Sequence, residues 1–282
     1  MSLPLHHHGR RFVIRLTTIA VCTTVGLGLV SGGTALADRH TAATNTVART
    51  TTTARVTSAD IPNLGKVETK IEAYYGDHVA PDGTRQASAN SDYAKEVRGI
   101  EATALATLPT AAPGGKTAVV FDVDDTTLLT YNYEVASQFA YDPTVNATYV
   151  LGEKFPAVFG MTALAQRLSY RGYTIFWVTG RPHAQAAATL GNLSKVGYPA
   201  PTLGADGLYT KPDSGQPFPS YVKCDTDGNP ACSTTEYKSS TRAHIQSLGY
   251  TIAANFGDQY SDLAGGHAKK SVKMPNPMYY LP

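Results

Sequence analysis

Residues 118–131 read AVVFDVDDTTLLTY. The apolar run Ala118, Val119, Val120 and Phe121 ends abruptly in three carboxylates, Asp122, Asp124 and Asp125. A short apolar run without polar alternation predicts a strand buried on both faces, as in a parallel sheet. Side chains two apart on a strand share a face, so Asp122 and Asp124 are expected together at the strand's C-terminal end. Open α/β sheets place their ligands there. Two like charges held side by side repel, and the arrangement makes sense if a cation or a proton offsets one of them. The plainer alternative is an Asp-rich turn of the kind that commonly follows a strand.

The same pattern recurs downstream. Residues 173–178 predict a second buried strand that ends in Thr179-Gly180-Arg181. Residues 250–256 predict another, ending in Gly257-Asp258 and, four residues on, Asp262. Between them Thr235 is expected to cap a helix over 236–248, with Lys238 in its first turn. A cation is unfavourable at the positive end of a helix, so Lys238 calls for a negative partner: the Asp cluster or a bound phosphate. An exposed, solvated lysine is the ordinary alternative.

Around these strands, apolar spacing predicts helices near 67–75 and 93–108, separated by a turn over 76–83. Further helices are expected from the Met161, Leu164, Ala165, Leu168 stripe stopped by Gly172, and over 184–195 closed by Gly197. Leu208-Tyr209 reads as a short strand and 271–274 as a last edge strand. Residues 131–158, rich in Tyr, Asn and Pro, read as an irregular insertion that shapes a pocket mouth, too short for a core of its own. The expected class is α/β, a doubly wound, mainly parallel sheet in one domain over 61–282.

The first 37 residues read as an export signal. Arg10, Arg11 and Arg15 precede an apolar or small-residue core over 16–30, and Ala35-Leu36-Ala37 supplies a cleavage site. Sec and twin-arginine export both remain open, and an uncleaved anchor is the competing reading, although the core is short and rich in Thr and Gly. Residues 38–60 are Thr/Ala-rich and poor in large apolar groups, which predicts a flexible leader. The chain carries 24 basic and 22 acidic residues, and loss of the signal leaves 21 basic against the same 22 acidic. A near-neutral protein without a basic run lacks the electrostatic footprint of a nucleic-acid or anionic-membrane binder. Cys224 and Cys232 flank a turn in the long loop 210–235. An exported context favours a disulfide between them, with two free thiols as the alternative. Gly115-Lys116-Thr117 fails as a phosphate-binding loop, because Thr110 stands where the first Gly belongs and a strand follows it.

Four motifs therefore occur in order: FDVDDT, VTGR, Lys238 within EYKSSTR, and GDQYSD. With these strand and turn contexts the chain resembles the haloacid dehalogenase superfamily, and within it the secreted acid phosphatases of class B or subfamily IIIB type that lack a large cap. The resemblance covers 61–282, including the ending KMPNPMYYLP. It implies Asp122 as nucleophile in an aspartyl-phosphate mechanism and Asp124 as general acid and then base. It implies Mg²⁺ held by Asp122, the Asp124 carbonyl and Asp258, with Asp262 behind or through water. Thr179 would bond a phosphoryl oxygen and Lys238 would neutralise charge. Thr126 is expected to hold the motif loop and Asp125 to be structural, while Arg181 either contacts substrate or pairs locally. The substrates implied are small phosphomonoesters. A phosphotransferase would share every residue, and a receiver-like signalling module or a storage protein on the same fold are the other classes.

Overall fold

In the computed structural model, described for residues 57–199, 207–224 and 232–281, the run at 118–121 becomes the middle of a five-stranded parallel sheet. Its central strand, β3 (Thr117–Phe121), pairs with β4 (Thr174–Pro182) on one side and β6 (Thr251–Gly257) on the other. β5 (Leu208–Lys211) and β7 (Ser271–Lys273) complete the order β5-β4-β3-β6-β7 as edge strands. Val119 and Phe121 point into one apolar layer, while Ala118 and Val120 point into a second. That explains the absence of polar alternation: both faces of the strand are covered.

The first layer contains α1 (Leu64–Tyr75), α2 (Asp92–Thr107) and α5 (Met161–Tyr170). α1 starts at Asn63, whose side chain accepts from the Lys66 amide, and ends at Gly76 in the left-handed region (φ 61°), a conformation open to glycine at no steric cost. α7 (Thr234–Ser247) covers the other face through Tyr237 and Ile245. α6 (Ala186–Lys195) follows a short 3-10 turn, and α8 (Tyr260–Leu263) is a single turn after β6. Cys224 and Cys232 are joined in a disulfide, with their Cα atoms 4.9 Å apart.

Three local expectations are corrected. The turn at 76–83 belongs to a small antiparallel hairpin, β1 (His78–Val79) with β2 (Arg85–Gln86). Residues 131–158 are not irregular: they form α3 (Tyr131–Ala136) and α4 (Pro143–Leu151), the latter capped by Asp142 with Pro143 at its start. α7 is capped by Ser233, not Thr235, in a reciprocal capping box with Glu236. Lys238 thus lies beyond the first turn, and the helix dipole is not what sets its partners. The export signal over 1–37, with cleavage near Ala37, and most of the 38–60 leader lie outside the described residues. No helix of the described residues is long and apolar enough to cross a membrane.

Candidate active site

Along β3, alternation sends Ala118 and Val120 toward the α7 side, and Asp122 continues that parity. The Asp122 amide donates to the Phe256 carbonyl at 2.9 Å, so the chain leaves the sheet still registered against β6. It then turns tightly: the Thr127 and Leu128 amides donate to the Val123 carbonyl, and the Asp125 amide donates to the Leu128 carbonyl. Asp125 takes a left-handed backbone (φ 54°), which aspartate tolerates better than most residues. Its carboxylate is fully buried and accepts from the Thr130 amide (3.0 Å), the Thr130 hydroxyl (2.6 Å) and the Tyr279 hydroxyl (2.8 Å). Burial pushes Asp125 up to about 7, against the Thr130 bonds that favour its charged form.

Three carboxylates converge beneath this turn. Asp122, Asp258 and Asp262 are all buried, and each offers one oxygen within 4.8 Å of the others. Lys238 reaches in from α7, its ammonium donating to Asp122 Oδ1 at 2.5 Å and to Asp262 Oδ1 at 2.6 Å. The other Asp262 oxygen accepts from the Gln259 amide at 2.8 Å. Gly257 lets this happen: a Cβ there would stand 2.4 Å from Asp262 Cβ. Asp258 accepts from Gln259 Nε2 and Asn276 Nδ2, each at 2.7 Å, and from the Thr126 hydroxyl at 3.3 Å. Arg242 secures the chain behind, donating to the carbonyls of Asp262, Ala264 and Gly266.

The charges explain the electrostatics. Burial pushes Asp122 well above the ordinary carboxylate range, opposed by Lys238 and reinforced by Asp262 and Asp258. Burial, Asp262 and Asp125 raise Asp258 to about 7. Burial alone would lower Lys238, but Asp122 and Asp262 outweigh it and the ammonium is held more firmly than usual. One buried ammonium faces three carboxylates, so the cluster is short of positive charge. Its donors are hard oxygens, the set that suits a small divalent cation such as Mg²⁺.

Asp124 does not join this group. The strand ends at Phe121, the turn carries Asp124 away, and its side chain, 30% exposed, is gripped by Arg181. Arg181 Nε donates to Oδ2 at 3.0 Å and a terminal nitrogen donates to Oδ1 at 2.6 Å, while its other nitrogen bonds Thr189. Arg181 therefore pairs locally. Thr179, fully buried in the C-terminal half of β4, accepts from the Arg181 amide at 3.2 Å, which leaves its hydroxyl proton to donate elsewhere. Sequence reasoning missed the supports Gln259, Asn276, Tyr279 and Arg242. Gln259 sits inside the GDQYSD motif, and Asn276 and Tyr279 lie in the KMPNPMYYLP ending, but no spacing rule gives either a partner.

The family model for the HAD superfamily, subfamily IIIB (acid phosphatase), matches residues 34–282. Among curated relatives, acid phosphatase 1 of Solanum lycopersicum is 28% identical over 171 residues, 59% of this chain and 60% of that one. Vegetative storage protein 1 of Arabidopsis thaliana is 26% identical over 167 residues, 58% of this chain and 55% of that one. The chain thus matches only about three fifths of the length of these relatives. A class C acid phosphatase from Bacillus anthracis has the same fold, with a TM-score of 0.52 at 19% identity, over 77% of this chain and 86% of that one. Strand-end carboxylates, a buried lysine between them and a match running from residue 34 to the last residue agree on one conclusion: the chain belongs to the HAD superfamily, subfamily IIIB, the acid phosphatases.

Proposed function

We propose that the protein is a secreted, Mg²⁺-dependent acid phosphatase that hydrolyses small phosphomonoesters through an aspartyl-phosphate on Asp122. The observation that carries this reading is the state of Asp122. One of its oxygens is held by Lys238, and the other has no hydrogen bond among the described residues, at the heart of a buried carboxylate cluster. That bare oxygen is the nucleophile: it bonds to phosphorus as the bond from phosphorus to the ester oxygen breaks. Asp124 gives its proton to the departing oxygen and then takes one from the water that attacks the phosphoryl group, releasing phosphate and restoring Asp122. Thr179 donates its free hydroxyl proton to a phosphoryl oxygen, and Lys238 balances charge on Asp122 and the phosphoryl group. Arg181 positions Asp124. Mg²⁺ held by Asp122, Asp258 and Asp262, with the Asp124 carbonyl, would neutralise charge on the phosphoryl group during transfer.

A second reading is favoured by the relatives named vegetative storage proteins, which suggest a phosphatase fold kept without turnover. Release of phosphate from p-nitrophenyl phosphate separates the two. The phosphatase reading expects turnover that EDTA removes and Mg²⁺ restores; absence of turnover with Mg²⁺ supports the storage reading, and full activity after exhaustive chelation sinks the metal assignment. The disulfide at Cys224 and Cys232 suits an oxidising compartment and supports export. Mass spectrometry of the secreted protein is expected to find a new N-terminus just after Ala37.

A further inference from the structure

Glu134, on α3, has no task in this chemistry. It is only 5% exposed, and among the described residues its carboxyl takes part in no hydrogen bond or ion pair. The residue is enclosed, yet its carboxyl oxygens are not sealed off, so water at the mouth serves them until another donor displaces it.

Its place is set by the motif turn. Thr130 bonds Asp125 through both its amide and its hydroxyl, and the Thr130 carbonyl accepts from the Glu134 amide at 3.1 Å. Residues four apart share a helix face, so Glu134 lies over the same turn as Thr130. It is within electrostatic reach of Asp125 and of Asp124. Tyr141, 73% exposed, is in reach of Asp124 and Glu134 and marks the outer side of the mouth. Burial, with Asp124 adding to it, pushes Glu134 up to about 7. Among the described residues Glu134 is thus an unpaired hydrogen-bonding group within electrostatic reach of the carboxylate that would meet the departing oxygen.

We propose that Glu134 is a specificity-determining residue, accepting a hydrogen bond from a hydroxyl or ammonium group on the leaving alcohol, next to the ester oxygen. The inference rests on the phosphatase reading and deepens it. A donor on the substrate bonds a carboxyl that no described residue bonds, whereas a plain alkyl chain displaces its water and leaves it bare. The favoured substrates are phosphomonoesters of polyols and amino alcohols.

The test compares kcat/KM for glycerol 3-phosphate, phosphoethanolamine and n-propyl phosphate, with p-nitrophenyl phosphate as reference. The wild type is expected to prefer each of the first two over n-propyl phosphate by about tenfold or more. Glu134→Ala is expected to bring both ratios close to one. Assayed above about pH 7, where the wild-type carboxyl is ionised, Glu134→Gln keeps an acceptor but no charge, so it retains the hydroxyl preference and loses part of the ammonium preference. A residue with only a structural role would shift all three esters alike. Ratios near one in the wild type, or unchanged in Glu134→Ala, overturn the proposal while p-nitrophenyl phosphate is still hydrolysed. Loss of all turnover in the wild type overturns the phosphatase reading and this inference together.

Discussion

At the floor of the site five of the six oxygens of Asp122, Asp258 and Asp262 carry a hydrogen bond from the described residues, and among these Asp122 Oδ2 alone is bare. At the rim the balance is reversed. Asp124 is partly open and held from one side by Arg181, Glu134 has no partner among the described residues, and Tyr141 stands in solvent. The floor is committed to one arrangement before any substrate arrives, as preorganised electrostatics requires. The rim leaves its polar groups for a visitor to complete. On the proposed mechanism the nucleophile and the charge clamp belong to the first region, the general acid and the selectivity to the second, and variants in the two should fail differently.

The largest effect is expected at the bare oxygen. Asp122→Asn replaces the proposed nucleophile by an amide and should lower turnover of p-nitrophenyl phosphate by about a thousandfold or more, with the fold intact by circular dichroism. A loss smaller than about tenfold, ~1.4 kcal/mol of barrier, would move the nucleophile elsewhere.

Lys238→Met tests the commitment of the floor itself. It leaves Asp122 and Asp262 buried without their shared cation, and breaking a buried pair in this way costs about 3–5 kcal/mol. Urea unfolding of the metal-free protein should show that loss together with the loss of turnover. A variant as stable as wild type would mean that the floor is more open to water than its burial indicates.

Arg181→Ala moves the test to the rim. Asp124 loses the guanidinium that fixes both its oxygens, and misplacement of a reacting group by about 1 Å costs up to about a hundredfold. kcat should therefore fall by about ten- to a hundredfold with KM little changed. The opposite split, a raised KM with kcat kept, would make Arg181 a substrate contact.

The same division governs what could be read from the chain. The strands at 117–121, 174–182 and 251–257 were legible because burial on both faces removes polar alternation, and their C-terminal ends led directly to Asp122, Thr179 and Asp258. The helix dipole leads to carboxylate partners for Lys238 for the wrong reason, since the S-x-x-E signal of 233–236 makes Ser233 the cap and puts Lys238 beyond the first turn. Asp142-Pro143 was likewise an available start signal for α4, hidden by the Tyr- and Asn-rich composition around it. The parting of Asp124 from Asp122 was not legible: strand parity holds only while the strand lasts, and it stops at Phe121. Strands of two residues such as 78–79 and 85–86 carry no period at all.

The smallest effect concerns stability and isolates the rim from the floor. In the unfolded chain Glu134 titrates like any glutamate, near 4.5, whereas burial in the fold raises it to about 7. Between those values the folded protein keeps a proton that the unfolded chain has released, so rising pH favours unfolding. The contribution is fully present below about pH 4.5, declines across the window, and is gone above about pH 7. Glu134→Gln cannot titrate and lacks this slope. The raised acids of the floor, Asp122 and Asp258, remain in both proteins and to first order cancel, while Asp125, raised in part by Glu134, is raised less in the variant and adds to the difference in the same sense. Urea unfolding of the metal-free proteins from pH 4.5 to 8 should therefore show wild type losing stability relative to Glu134→Gln as pH rises. The expected loss is on the order of 1 kcal/mol, less than the whole shift implies because solvent at the mouth screens the charge. Parallel stability curves would mean that the Glu134 carboxyl is solvated, and the rim would then hold no bare group for a substrate to complete.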